Sequence, residues 1–220
     1  MSAKPILQNI LTATLVICAI LVTITAIYEV FFKTQNTSAT QVVEIKNWRY
    51  LTRGGNVALG ARDAPLKIIE FSDYQCPYCR RLESQLKLIT QKNPDVAVIR
   101  YNFPLTEIHQ FAMSAAIAAE CASRQNAFKA MDKLLFQTDL AKQAIDGWRS
   151  IATQAGIRSK SQFDDCMSSP SARQAVEADV ALGKHLGIDA TPALIIGGRM
   201  MYGYQSEEKI VADIRKFYTI

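Results

Sequence analysis

Two thiols two residues apart, in Cys76-Pro77-Tyr78-Cys79, are the most reactive feature of the sequence. At that spacing the sulfurs can close a disulfide across one helical turn and reopen it by exchange with another thiol. The motif follows the apolar run Leu66-Lys67-Ile68-Ile69-Glu70-Phe71 and precedes a segment in which Leu82, Leu86 and Ile89 recur at helical spacing until Asn93-Pro94. Cys76 is therefore expected at a helix N-cap, where unpaired N–H groups and the positive end of the helix dipole favour a thiolate. Pro77 suits the first helical position, because its missing N–H costs nothing there. The spacing predicts an exposed, nucleophilic Cys76 and a shielded Cys79 that resolves mixed disulfides. A stabilised thiolate also stabilises the reduced pair and makes its disulfide a stronger oxidant. A CxxC can instead be half of a zinc site, but such a site needs four ligands. Neither Cys121 nor Cys166 belongs to a second CxxC or has a nearby histidine, so no metal is expected.

The elements that must hold this motif can be read on either side of it. The run ending at Phe71 reads as a strand, and VAVIRYNF (96–103) as a second, ended by Pro104. Strand, active loop, helix and strand in that order predict parallel pairing. From Glu107 to about Leu186 the texture is helical. Ile108, Phe111, Ala115, Ala118 and Ala122 mark one face, Phe128, Met131, Leu134 and Leu135 a second, and Ile145, Trp148, Ile151 and Ala152 a third. Ala193–Ile196, Gly197-Gly198 and RMMYGY then read as a β-hairpin, and Ile210, Val211, Ile214 and Phe217 line a terminal helix. Glu70 is a charge inside an apolar strand, where burial would favour its protonated form and suit it to proton transfer. A reach to solvent at the strand edge is the plainer alternative.

Residues outside this region set the context. The chain has 220 residues, a net charge of +5 and a mean hydropathy of +0.03. Its basic residues are scattered without a run, which argues against nucleic-acid binding. The apolar excess is concentrated between Ile10 and Tyr28, inside an uncharged stretch from Pro5 to Tyr28 that is long enough for a hydrocarbon core of about 30 Å. Residues 1–32 are accordingly expected to be an uncleaved transmembrane signal anchor, with Cys18 an inert filler inside it. Residues 33–54 read as a polar linker. Residues 55–103 and 187–220 then form two parts of one α/β domain, interrupted by a helical insertion over 104–186. His109 opens the insertion and His185 lies near a helix C-terminus; both read as structural.

FSDYQCPYC, the alanine-rich helix reaching Cys121, and GIDATPALIIGG together resemble the DsbA-like thiol:disulfide oxidoreductases, over about residues 55–220. The resemblance implies a thioredoxin-like fold with an inserted all-helical subdomain. It implies Cys76 as nucleophile, Cys79 as resolving thiol and Glu70 as a buried carboxylate beneath them. Thr191-Pro192 becomes a cis-proline loop facing the cysteines, and Pro77, Tyr78, Thr191 and Pro192 would contact substrate. The implied activity introduces disulfides into cysteine-containing secreted or envelope proteins, with no cofactor and with a quinone-linked membrane oxidase as regenerating partner. The domain would face the periplasm or cell exterior from a bacterial inner membrane. In such an oxidising compartment Cys121 and Cys166 are expected to form a structural disulfide, two free buried thiols being the alternative. Tyr78 replaces the histidine of the best-known oxidases, and Thr191 resembles isomerase-like and reductase-like relatives. Both weaken the expected oxidant. A reductase or isomerase, or a non-catalytic peptide-binding chaperone, are the competing readings.

Overall fold

The computed structural model describes residues 13–26, 43–141 and 147–218. The chain divides into two units, 1–41 and 42–220. Within the first, residues 13–26 are an exposed helix whose Thr23 and Thr25 hydroxyls donate to carbonyls three or four residues back. Among the described residues no helix is long and apolar enough to cross a membrane. The anchor expected over residues 1–32 is thus not supported there, and its parts at 1–12 and 27–32 lie outside the described residues.

The second unit is built on one six-stranded sheet. Its strands are β1 (Val43–Glu44), β2 (Asn56–Leu59), β3 (Leu66–Ser72), β4 (Val96–Asn102), β5 (Ala193–Ile196) and β6 (Arg199–Tyr202), in the spatial order β1-β6-β5-β3-β4-β2. β3 and β4 pair in parallel with Glu70 opposite Arg100, and the helix α1 (Pro77–Lys92) makes the crossover between them. β5 and β6 form the expected hairpin over Gly197-Gly198, both at positive φ, and β5 lies antiparallel to β3. The insertion supplies α2 (Ala112–Ser123), α3 (Phe128–Gln137), α4 (Trp148–Gln154), α5 (Lys160–Met167) and α6 (Pro170–His185), and α7 (Glu207–Tyr218) ends the described chain. Ile145, one of the residues read as helical core, lies outside the described residues.

Alternation along the strands creates two cores. Ile68, Val98, Leu194 and Ile196 face α1, α7 and the insertion, whereas Ile69, Phe71, Ile99, Tyr101 and Ile195 face the other way. α6 comes close to this second group: a Cβ on Gly183 would lie 2.6 Å from the Phe103 ring.

Two expectations change. The linker read over 33–54 ends early, because Val43 and Glu44 pair with β6, Leu51 is fully buried, and Trp48 meets the Tyr218 ring edge-on. Polar spacing concealed a few apolar residues that dock on the sheet edge. Ile108, read as part of a helical face, and His109, read as opening the first helix of the insertion, both precede α2, and Ile108 is 71% exposed.

Cys121 of α2 and Cys166 of α5 are joined, with Cα atoms 5.7 Å apart and a separation of 45 positions in sequence. Opening that loop in the unfolded chain should cost about 2–4 kcal/mol. Replacing both cysteines with alanine is expected to lower the urea midpoint accordingly, while leaving two thiols at residues 76 and 79 by mass spectrometry. An unchanged midpoint would show that the bridge contributes nothing to stability.

Candidate active site

The cysteine pair starts α1. Cys76 is its N-cap and Pro77 its first residue, and the Cys76 N–H donates to the Asp73 carbonyl at 3.1 Å. Both cysteines are free thiols in this structure. Cys79 is wholly buried, as expected of a resolving thiol. Cys76 is not the exposed thiol predicted from its N-cap position: it is 4% exposed, and its Sγ donates to the Thr191 carbonyl at 3.5 Å. The covering loop lies 115 residues later in the chain. Its Thr191-Pro192 peptide bond is cis. Tyr78, by contrast, is 60% exposed beside the pair.

The two thiols differ sharply in proton affinity. Cys76 is brought down to about 6, chiefly by a hydrogen bond from the Cys79 side chain; burial opposes this, and the Cys79 N–H, the Thr191 side chain and the Tyr78 N–H assist. Cys79 is pushed well up by burial first, then by its bond to Cys76 and by the negative field of Glu70. One sulfur is made a nucleophile and leaving group, and the other a proton acceptor.

Glu70 lies beneath the pair and is fully buried. It does not stand alone in an apolar strand, as its sequence context suggested. Arg100, directly across the parallel register, donates to its Oε2 from Nε at 3.1 Å and from Nη2 at 2.7 Å. The same guanidinium reaches Glu83 Oε2 on α1 at 2.5 Å and both Asp132 oxygens on α3, and it stacks 4.8 Å from the Phe136 ring centroid. Tyr74, just before the motif, donates its hydroxyl to Asp132 at 2.9 Å. Glu70 Oε1 has no protein partner. Three carboxylates around one cation leave an excess of negative charge, and Glu83, the member nearest solvent, is raised to about 7, mainly by burial.

Asp73 organises the approach to Cys76. Its Oδ1 accepts from the Gln75 N–H at 2.7 Å, and its Oδ2 accepts from the Leu105 N–H at 2.8 Å and lies 2.8 Å from His109 Nδ1. Asp73, Arg100, Glu83 and Asp132 were not singled out from sequence. Arg100 carried the same signal as Glu70, a charge within an apolar strand. Asp132 and Glu83 carried none, since both look like ordinary polar positions on amphipathic helices. Cys121 and Cys166 are tied to each other and are not available as metal ligands, and among the described residues no cluster of three or more histidine, cysteine or acidic side chains could hold a metal ion.

Residues 52–216 match a thioredoxin family, Thioredoxin_4. Over 155 residues the chain is 27% identical to the Na(+)/H(+) antiporter NhaA 3 of Salinispora tropica, a match covering 70% of this chain and 24% of that protein. The chain spans about a quarter of the length of the curated relatives it matches first. It is 24% identical over 170 residues to disulfide bond formation protein D of Bacillus subtilis, covering 74% of this chain and 77% of that one. A solved thioredoxin-like oxidoreductase from Silicibacter pomeroyi DSS-3 superimposes with a TM-score of 0.69 at 23% identity, over 79% of this chain and 99% of the other. The fold is thus a mixed α/β, thioredoxin-like one.

Two titrations test the electrostatics. Thiolate absorbance of the reduced protein near 240 nm should rise with a midpoint near pH 6, and the midpoint should move upward in Cys79→Ala, which loses the largest stabilising bond. A midpoint near 9 in the parent would refute the assignment. For Glu83, a folded value near 7 above the ordinary 4.5 means that the folded state holds a proton which the unfolded state has lost. Its contribution therefore falls as pH rises through that window. Glu83→Gln should gain stability relative to the parent from pH 4.5 to 7, by up to about 3 kcal/mol in urea unfolding. A pH-independent difference would remove Glu83 from the buried network.

Proposed function

The chain belongs to the thioredoxin family, and we propose that it is a thiol:disulfide oxidoreductase of the DsbA type, acting as an oxidant of cysteine pairs in other proteins. The observation that carries this is the unequal thiol pair at a helix N-terminus, capped by the Thr191 carbonyl. A substrate thiolate attacks Sγ of Cys76 in the Cys76–Cys79 disulfide, and the bonding pair leaves with Cys79. That sulfur takes up a proton readily, because burial and Glu70 disfavour its anion. The substrate's second thiolate then attacks the substrate sulfur of the mixed disulfide and expels Cys76 as a thiolate. Two electrons pass from the substrate into the pair, and the substrate leaves with a disulfide.

The leaving-group quality of Cys76 also supports the direction. With a value near 6 rather than 9, its thiolate stabilises the reduced pair at pH 7 by on the order of 1 kcal/mol, or ~30 mV. This favours oxidation moderately. Tyr78 carries no charge with which to extend it, and this favours a reductase as the second reading. The relative named disulfide bond formation protein D agrees with the first.

Substrates would be cysteine-containing secreted or envelope proteins, and a membrane oxidase would return the pair to its disulfide. The Cys121–Cys166 bridge supports an oxidising compartment, periplasm or cell exterior. The apolar stretch from Ile10 to Tyr28 would tether the domain there. About three-quarters of the antiporter relatives has no counterpart here, and their transport activity plays no part in this reading.

The full chain in its oxidised form should reoxidise a reduced, unfolded disulfide protein. Cys76→Ser should lose this activity by at least about a thousandfold, and Cys79→Ala should accumulate a mixed disulfide. In cells the pair should be mainly oxidised on alkylation and mass spectrometry; a mainly reduced pair would favour the reductase. No oxidation or reduction by the parent, with peptide binding retained in Cys76→Ser, would reject both and leave the chaperone.

A further inference from the structure

A second concave surface opens where the loop after β4 meets the C-terminal half of α6. It is an apolar groove of about 450 Å³. Its walls are Phe103, Leu105, Ile108, Met113, Val180 and Ile188, and Ile108 contributes the most exposed large apolar side chain among the described residues. Three acids, Glu107, Glu177 and Asp189, stand at its rim against one cation, Lys184. Glu177 has a loose partner in Arg173 at 3.8 Å, and both side chains are more than half exposed, so the pair holds little of its charge. In a chain of net charge +5 this is a locally acidic site with an apolar floor.

Both walls are tied to Cys76. On one side, Leu105 donates its N–H to Asp73 Oδ2, and Asp73 accepts from the N–H of Cys76. On the other, Ile188 and Asp189 lead through Ala190 into Thr191, whose carbonyl meets Cys76 Sγ. Asp189 is therefore at most about 8 Å of chain from Thr191. A polypeptide with a cysteine at Cys76 needs only a few extended residues to reach the groove.

We propose that this groove is a docking site for the polypeptide undergoing exchange, and that it selects substrates with an apolar residue followed by a basic one close to the reacting cysteine. The apolar side chain covers Ile108 and the basic one faces Glu107, Glu177 and Asp189. Complementary charge at such a rim acts mainly on encounter and so weakens with salt. The proposal rests on the reading of Cys76 as the exchanging thiol.

The test uses the oxidised full chain and reduced two-cysteine peptides that differ only in one flank, Leu-Lys, Leu-Glu or Gly-Gln. Oxidation rates are divided by the rates with glutathione disulfide, which removes the effect of the flank on the peptide's own thiols. The Leu-Lys peptide should react up to about fivefold faster than Leu-Glu at low salt, and the ratio should shrink in 0.5 M salt. Glu107→Lys combined with Glu177→Lys, both exposed positions, should bring the ratio to one or below. Ile108→Ser should slow the Leu-Lys peptide more than Gly-Gln. Thiolate titration of each variant reports whether its fold around Cys76 is intact. A ratio near one in the parent, or one unchanged by the charge reversals, overturns the proposal while leaving thiol exchange standing. Failure of the parent to oxidise any peptide overturns both.

Discussion

The guanidinium of Arg100 is the interaction on which the rest of this domain depends. It joins four parts of the chain under one buried charge: Glu70 on β3, Arg100 on β4, Glu83 on α1 and Asp132 from the insertion. Removing the cation would leave three carboxylates buried and unmatched, at a typical cost of about 3–5 kcal/mol, so the elements are held in one arrangement. The cluster faces the same core as Cys79. The position of α1 over the sheet, and hence of the redox pair at its start, follows from where these carboxylates must meet their cation.

The same charge balance explains why the two thiols differ. One cation against three carboxylates leaves the buried side of α1 electronegative, and Cys79 projects into that side. Cys76, one turn earlier, escapes most of that field. Its thiolate is favoured chiefly by Cys79 and by the first-turn N–H groups. Thiolate character is therefore assigned by environment to one of two chemically identical groups. The cis loop then covers this sulfur, the Thr191 carbonyl lying 3.5 Å from it.

Much of the framework was legible because its signals are local. Leu82, Leu86 and Ile89 announce α1, Pro77 and Asn93 mark its ends, and Gly197-Gly198 forms the hairpin turn at positive φ. Failures came where an environment is assembled from distant segments. Val43 to Leu51 look like a polar tether until β6 and the sheet edge are there to receive them. Ile108 matched a helical face by spacing, but Asp73 and His109 hold that loop outside α2, and the side chain faces solvent.

The sequence by itself determined that a pair of cysteines opens a helix between two parallel strands, and that Glu70 is a charge within the first of them, because hydrophobic period and residue spacing are encoded within short windows. Only the tertiary structure decided that Cys76 is covered, that Glu70 is matched by Arg100, that Asp132 and Glu83 share the same cation, and that Cys121 meets Cys166. Proton affinity and charge pairing depend on separations of a few ångströms between residues tens of positions apart, and those separations are set only when the two cores close on the sheet.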